Sequence, residues 1–209
     1  MYTLYYSPGA ASLLPHLLLL EIGAAYELKR IDTAAGEQRS PEYLRLNPNG
    51  VVPTLIVDGR PCAETAALLL LLCERHPQAG LAPAVDAPER AAFLQGVLYL
   101  ANTLQPAFRL WFYPSDAGEV DATVLKQALR ARIEKCFDQL AAQLADGRSY
   151  LLGERFSALD LYATMLMRWS RNMPKPATEW PLLKALAERI RARASWRRLY
   201  EIEGLTEWA

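Results

Sequence analysis

The chain has 209 residues, 52% of them hydrophobic, with 23 basic against 23 acidic side chains and a formal net charge of zero. That suits one large or two small globular domains and offers no basic surface for a nucleic-acid partner. Three cysteines, Cys62, Cys73 and Cys136, form neither a CxxC pair nor a metal-ligand spacing, so no metal is expected and a reduced, cytoplasmic protein is. Residues 13–20 are very apolar, but Pro15 and His16 interrupt them and they fall far short of the roughly 20 residues that span a bilayer. They read as a buried helix, with no membrane partner.

Tyr2–Tyr6 alternates and is aromatic, a strand pattern. Ser7-Pro8-Gly9 is a loop, and Ser12 reads as the N-cap of a helix to about Gly23 that tolerates Pro15 in its first turn. Residues 26–31 give a second strand, and a short helix should follow Ser40-Pro41. Asn47-Pro48-Asn49-Gly50 is a type I turn signal. The β-branched run 51–57 contains Pro53, and Asp58-Gly59 is a hairpin turn into residues 60–62. A helix then runs from Glu64-Thr65 to about His76. The resulting order β-α-β-α-β-β-α is thioredoxin-like.

A proline within a strand pattern points to a sheet edge. There Val52, ahead of a Val52-Pro53 bond that is a candidate for cis, would keep its amide and carbonyl free for an extended peptide. Free amides at the helix start near Glu64 attract a carboxylate. Thr65 adds a hydroxyl donor and the Glu64 carboxylate can meet an ammonium. Together they suit a small zwitterionic peptide.

Residues 78–88 are rich in Pro, Ala and Gly and read as a linker. Beyond it the pattern is helical. Residues 89–113 carry an apolar stripe that Pro106 should kink, and residues 120–146 carry a second, stopped by Gly147. Ser157 and Asp160 form a capping-box variant, with Phe156 and Leu161 at staple spacing. Shorter helices follow near 180–193 and 195–203. The expected division is therefore 1–77, a linker at 78–88, and 89–209.

V-P-T-L followed by E-T before an apolar helix resembles the glutathione-binding half of the cytosolic glutathione transferases. The capping box a few residues after Gly153 is similar to the one that opens the core helix of their second domain. The resemblance covers nearly the whole chain. It implies an α/β plus all-α fold, a thioredoxin-like N-terminal domain followed by an all-helical C-terminal one. It also implies glutathione as co-substrate, a small hydrophobic electrophile and a homodimer; residues 1–77 hold 6 basic and 8 acidic side chains against 17 and 15 in the rest, a difference of sign that suits packing.

Site residues follow from the same resemblance. YYSPGAASLLPHLLL resembles the bacterial beta class, but Ala11 stands where that class has a cysteine, which puts mixed-disulfide and disulfide-reductase chemistry in doubt. The theta and phi classes use a serine at this helix start, and Ser12 matches it as the thiol-activating hydroxyl or stays a plain cap. Tyr6 ends strand one, where tyrosine-type classes place that hydroxyl, or is a packed strand aromatic; Ser7 is a third hydroxyl there. GEQRSPE ahead of LNPNG resembles a phi and theta segment whose His–Lys pair faces the glycine carboxylate of glutathione. Gln38 replaces the imidazole and Arg39 keeps the cation. Val52, Pro53, Glu64 and Thr65 complete the implied glutathione site. In NTLQPAFRLWFYP, Gln105 stands at or near a beta-class histidine, and Arg109, Trp111, Phe112 and Tyr113 either line an electrophile pocket with one cationic contact or belong to the core. His16 and His76 read as structural. The rival reading is a non-catalytic relative that binds glutathione, hydrophobic ligands or a protein.

Overall fold

A computed structural model describes residues 1–208. Strand β1 (Tyr2–Tyr6) pairs in parallel with β2 (Tyr26–Arg30), Leu4 lying opposite Leu28. Strand β3 (Thr54–Val57) runs antiparallel to β1, and β4 (Arg60–Cys62) antiparallel to β3, giving the order β2-β1-β3-β4. Helix α1 (Leu13–Ile22) makes the crossover that two parallel strands require. Helices α2 (Pro41–Leu44) and α3 (Thr65–Arg75) complete the expected thioredoxin-like order. Leu13, Leu14, Leu17, Leu18 and Leu19 are fully inaccessible, so the apolar run is a core helix. Among the described residues no helix is long and apolar enough to cross a membrane.

One expectation about this sheet needs correction. β3 is not an edge: it lies between β1 and β4, and Pro53 stands one residue before its start. Its missing N–H therefore costs no ladder bond. The hairpin turn is as expected, with Asp58 (φ 52°) and Gly59 (φ 76°) both left-handed, the type I′ signature that matches strand twist.

The helices that follow are α4 (Arg90–Tyr99), α5 (Gln105–Phe112), α6 (Ala122–Gln143), α7 (Ala158–Trp169), α8 (Pro181–Arg191) and α9 (Ala194–Glu203). Where a single kinked helix was expected over residues 89–113, a π-helical turn, Leu100–Leu104, joins α4 to α5 immediately before Pro106. Such a turn widens the coil where a proline ring would collide with the preceding carbonyl.

The chain forms two compact units, residues 1–81 with 191–207, and 82–190 with Trp208. The division expected at residue 89 thus misplaces the end of the chain: α9 packs on α1, with Trp196 and Leu199 fully buried in the first unit. In the second unit α7 is almost wholly buried, and Asp160 reaches back from it as the box implied. Its carboxylate accepts from the Ser157 amide (2.8 Å), the Ser157 hydroxyl (3.0 Å) and the Leu151 amide (2.9 Å).

Burial pushes Asp160 up to about 6, against those hydrogen bonds, which favour the anion. A folded-state value above the unfolded one means that the protonated form favours the fold. The contribution is complete below about pH 4 and disappears as pH rises through 6. Relative to Asp160→Asn, the wild type should gain stability between pH 7 and pH 5, toward a limit of about 3 kcal/mol for a two-unit shift. Thermal melts of both proteins at the two pH values test this; an unchanged difference in Tm contradicts it.

Candidate functional site

Because β1 and β2 are parallel, their carboxyl ends share one end of the sheet, where α/β proteins place ligands. Residues 7–12 lead from that end into α1. Ser12 is fully buried there, and its hydroxyl accepts from the Ser7 amide (3.1 Å) and donates to the Ser7 carbonyl (3.0 Å). The expected side-chain cap is therefore absent: Ser12 occupies the N-cap position with helical torsions and no bond from its side chain to the helix. Its one hydroxyl hydrogen is engaged by the Ser7 carbonyl. The Ala10 amide also meets the Ser7 carbonyl, at 3.1 Å, whereas the amides of Ala11 and Ser12 find no backbone acceptor among the described residues. The Ser7 hydroxyl lies 3.0 Å from that of Thr33.

Behind this loop, Glu203 of α9 accepts from the Gly9 amide at 2.8 Å and from His16 Nδ1 at 2.8 Å, both side chains fully buried. The other imidazole nitrogen, Nε2, meets the Tyr26 hydroxyl at 3.2 Å. Burial raises the Tyr26 phenol above its ordinary range, so it stays a donor, and His16 Nδ1–H donates to the carboxylate. His16 is structural, as expected. Tyr6 is buried with its ring 6.1 Å from the His16 ring.

A second element of the site is the turn ahead of β3. The Gly50 amide donates to the Asn47 carbonyl (2.9 Å), and Asn47 Nδ2 and the Tyr43 hydroxyl both donate to the Val51 carbonyl at 2.8 Å. The Val52-Pro53 bond is cis, Pro53 is buried, and the Val52 amide and carbonyl have no backbone partner among the described residues. Val52 thus keeps the free pair expected of it although β3 is not an edge. Twelve residues on, Glu64 precedes α3 with φ 70° and ψ 111°, a left-handed backbone for a non-glycine residue, and is exposed. Thr65, the first residue of α3, is buried.

Gln38 and Arg39 lie in a single 3-10 turn. Gln38 Nε2 donates to the Thr33 carbonyl at 3.3 Å, and its Oε1 is buried with no donor. Arg39 is exposed, with Nη1 3.5 Å from the Asn49 carbonyl. A Cβ at Gly50 would come within 3.0 Å of Arg39 Cδ, so glycine lets that side chain cross the turn. The structure therefore brings Gln38 to Thr33, and Arg39 to the turn that leads into Val52.

The four residues expected around an electrophile stand in the second unit. Gln105 accepts a hydrogen bond from the Tyr162 hydroxyl. Arg109 pairs with Asp116, Nε to Oδ2 at 2.5 Å, and lies 4.0 Å over the Tyr113 ring. The single cationic contact expected there is thus neutralised within its own segment. Trp111 faces Lys126 Nζ at 5.5 Å, and half-exposed Phe112 stacks on Phe108 with Trp169 edge-on to both. Two clefts lined from α4, α6 and the segments beside them, about 290 and 510 Å³, include none of the four residues. Sequence reasoning missed Thr33 and Glu203. No local signal marks either one, since their partners lie 26 and 187 or more positions away. Among the described residues no group of three or more His, Cys, Asp and Glu side chains can hold a metal ion.

Residues 1–72 match the glutathione S-transferase N-terminal domain model, and residues 90–192 the C-terminal domain model. The chain is 30% identical over 204 residues to glutathione S-transferase GST-4.5 of Xanthomonas campestris pv. campestris, covering 97% of this chain and 98% of that one. A sphingomonad glutathione S-transferase complexed with glutathione superposes with a TM-score of 0.86 at 32% identity, covering 98% of this chain and all of that one. A Sulfitobacter glutathione transferase homologue with bound glutathione gives 0.89 at 28% identity, covering 99% of each. With both domain models matched in order and the likeness extending over the full fold, the chain belongs to the glutathione S-transferase family.

Proposed function

We propose that this protein is a glutathione transferase: it binds glutathione on the first unit and activates its thiol as the thiolate for attack on a small hydrophobic electrophile. One observation carries the binding half. The unpaired backbone of Val52 stands twelve residues before an exposed glutamate whose left-handed backbone opens α3. In this reading the cysteinyl backbone pairs with Val52 beside Pro53. The γ-glutamyl carboxylate meets the start of α3 at Thr65, its ammonium meets Glu64, and the glycine carboxylate meets Arg39 beside Gln38. The thiol then lies toward the start of α1.

A cysteine thiol ordinarily titrates near pH 8.5, so only a few per cent is thiolate at neutral pH. The amides of Ala11 and Ser12 sit at a helix N-terminus, worth about 0.3–2 kcal/mol to an anion, and one pKa unit is about 1.4 kcal/mol. Ser12 acts here through its amide and through the loop that it holds, and Tyr6 stands at the end of β1. The thiolate sulfur forms a bond to the electrophilic carbon, and the leaving group departs with its electron pair, or the electrons pass into an activated double bond. On the second unit, Trp111, Phe112 and Tyr113 supply apolar surface, beside Gln105 and the ion-paired Arg109. A specific departure favours a second reading, a glutathione-binding protein without turnover: Ala11 and Gln105 replace the cysteine and histidine of the beta-class pattern.

Turnover of an aromatic halide that requires glutathione supports the enzyme; glutathione binding without turnover supports the second reading. Glu64→Ala should remove the ammonium partner and weaken glutathione binding by about 1–3 kcal/mol, as for a hydrogen bond to a charged group. Calorimetry showing equal affinity contradicts that assignment. A symmetric homodimer is the default assembly. Light scattering at micromolar concentration should give twice the 23.4 kDa of one chain, and a monomer mass contradicts it.

A further inference from the structure

The Ser12 hydrogen lies on the Ser7 carbonyl, whereas a neighbouring pair of hydroxyls keeps one hydrogen uncommitted. The Ser7 and Thr33 hydroxyls are 3.0 Å apart. Two hydroxyls joined by one hydrogen bond use one of their two hydrogens, so one is spare whichever donates. Ser7 follows β1 directly, and Thr33 lies three residues beyond the end of β2. With those strands parallel, both residues stand at the end of the sheet where α1 begins. Ser7 is held on both sides of its backbone by the Ser12 hydroxyl and is only 8% exposed, surroundings that strengthen a hydrogen bond to an anion. Thr33 is fixed in turn by Gln38 Nε2 on its carbonyl.

We propose that Ser7 is the hydroxyl donor to the glutathione thiolate and that Thr33 orients it. This rests on the glutathione reading above. Before the ligand arrives the pair can run in either direction. A thiolate sets the direction: the Thr33 hydrogen turns onto Ser7 Oγ, and the Ser7 hydrogen turns onto sulfur. Ser7 donates and does not ionise; the thiol proton leaves to solvent. Ser7 is then a catalytic residue, and Thr33 and Ser12 are positioning residues.

The test is ultraviolet titration of bound glutathione thiolate in the wild type, Ser7→Ala, Ser7→Thr, Thr33→Val and Ser12→Ala, with melting and calorimetry alongside. Ser7→Ala should raise the bound thiol's pKa by about one unit, roughly a tenfold loss of thiolate below that pKa, with glutathione affinity held within about threefold. Ser7→Thr should restore the wild-type value, and Thr33→Val should give a smaller rise in the same direction. Ser12→Ala should chiefly lower the melting temperature. An unmoved pKa in Ser7→Ala overturns the proposal. If that variant does not fold, an unmoved pKa in Thr33→Val overturns it instead. A wild type that binds no glutathione overturns this proposal and the reading beneath it. A wild type whose lowered thiol pKa survives Ser7→Ala overturns the Ser7 role alone.

Discussion

A hydroxyl with no access to water must place its hydrogen and its lone pair inside the protein, and Ser12 places both on the backbone of Ser7. Removing the hydroxyl strands the Ser7 amide, at about 1–3 kcal/mol, while the Ser7 carbonyl keeps the Ala10 amide. The connection from β1 to α1 is thereby closed on itself, and the Ala11 and Ser12 amides just ahead of α1 are left without a backbone acceptor among the described residues. Glu203 adds a second restraint on the same loop by taking the Gly9 amide. That carboxylate comes from the last helix of the chain, which explains why α9 belongs to the first unit and not to the helical run that precedes it. A site at the N-terminal end of the sequence thus depends on residues nearly two hundred positions away.

What the sequence disclosed was local. Asp-Gly in a hairpin, Ser-Pro before a short helix, Asn-Pro-Asn-Gly in a turn and the Ser-x-x-Asp box are each read within four residues, and each occurs in the structure where its chemistry requires. The order of strands and helices follows from such signals. The position of β3 inside the sheet does not, because pairing is decided by partners distant in sequence, and Pro53 looks the same at an edge as at the entrance to an inner strand. Ser12 is the sharper case. A serine ahead of an apolar run fits an N-cap, yet burial turned its hydroxyl toward the preceding loop. Thr33, His16 with Glu203, and Arg109 with Asp116 are likewise spatial pairs that no helical or strand period announces.

The helical unit shows how a local misfit is absorbed. Proline inside a helix removes a donor and crowds the preceding turn, at about 3 kcal/mol or more. Leu100–Leu104 meets it by widening into a π turn while Leu100 and Leu104 stay fully buried, so the core stripe continues from α4 into α5. The same continuity sets Phe108 beneath Phe112 and Trp169. With Arg109 neutralised by Asp116, what α5 presents at its end is aromatic surface and little net charge.

The remaining strain lies at Glu64. A non-glycine residue held at φ 70° costs on the order of 1–3 kcal/mol and persists only where its surroundings impose it. Here they do. The Leu68 amide bonds the Glu64 carbonyl at 2.9 Å to start α3, while Leu68, Leu69 and Leu72 anchor that helix in the core. On the other side β4 is fixed through its pairing with β3. Glycine would relieve the strain, but it would also remove the one carboxylate at this helix start. That carboxylate is exposed and makes no cap bond to its own helix. The strain at this point, the exposed Glu64 carboxylate and the unpaired backbone of Val52 all lie on the first unit. The glutathione proposed for this unit would supply the ammonium and the backbone partners that these groups lack.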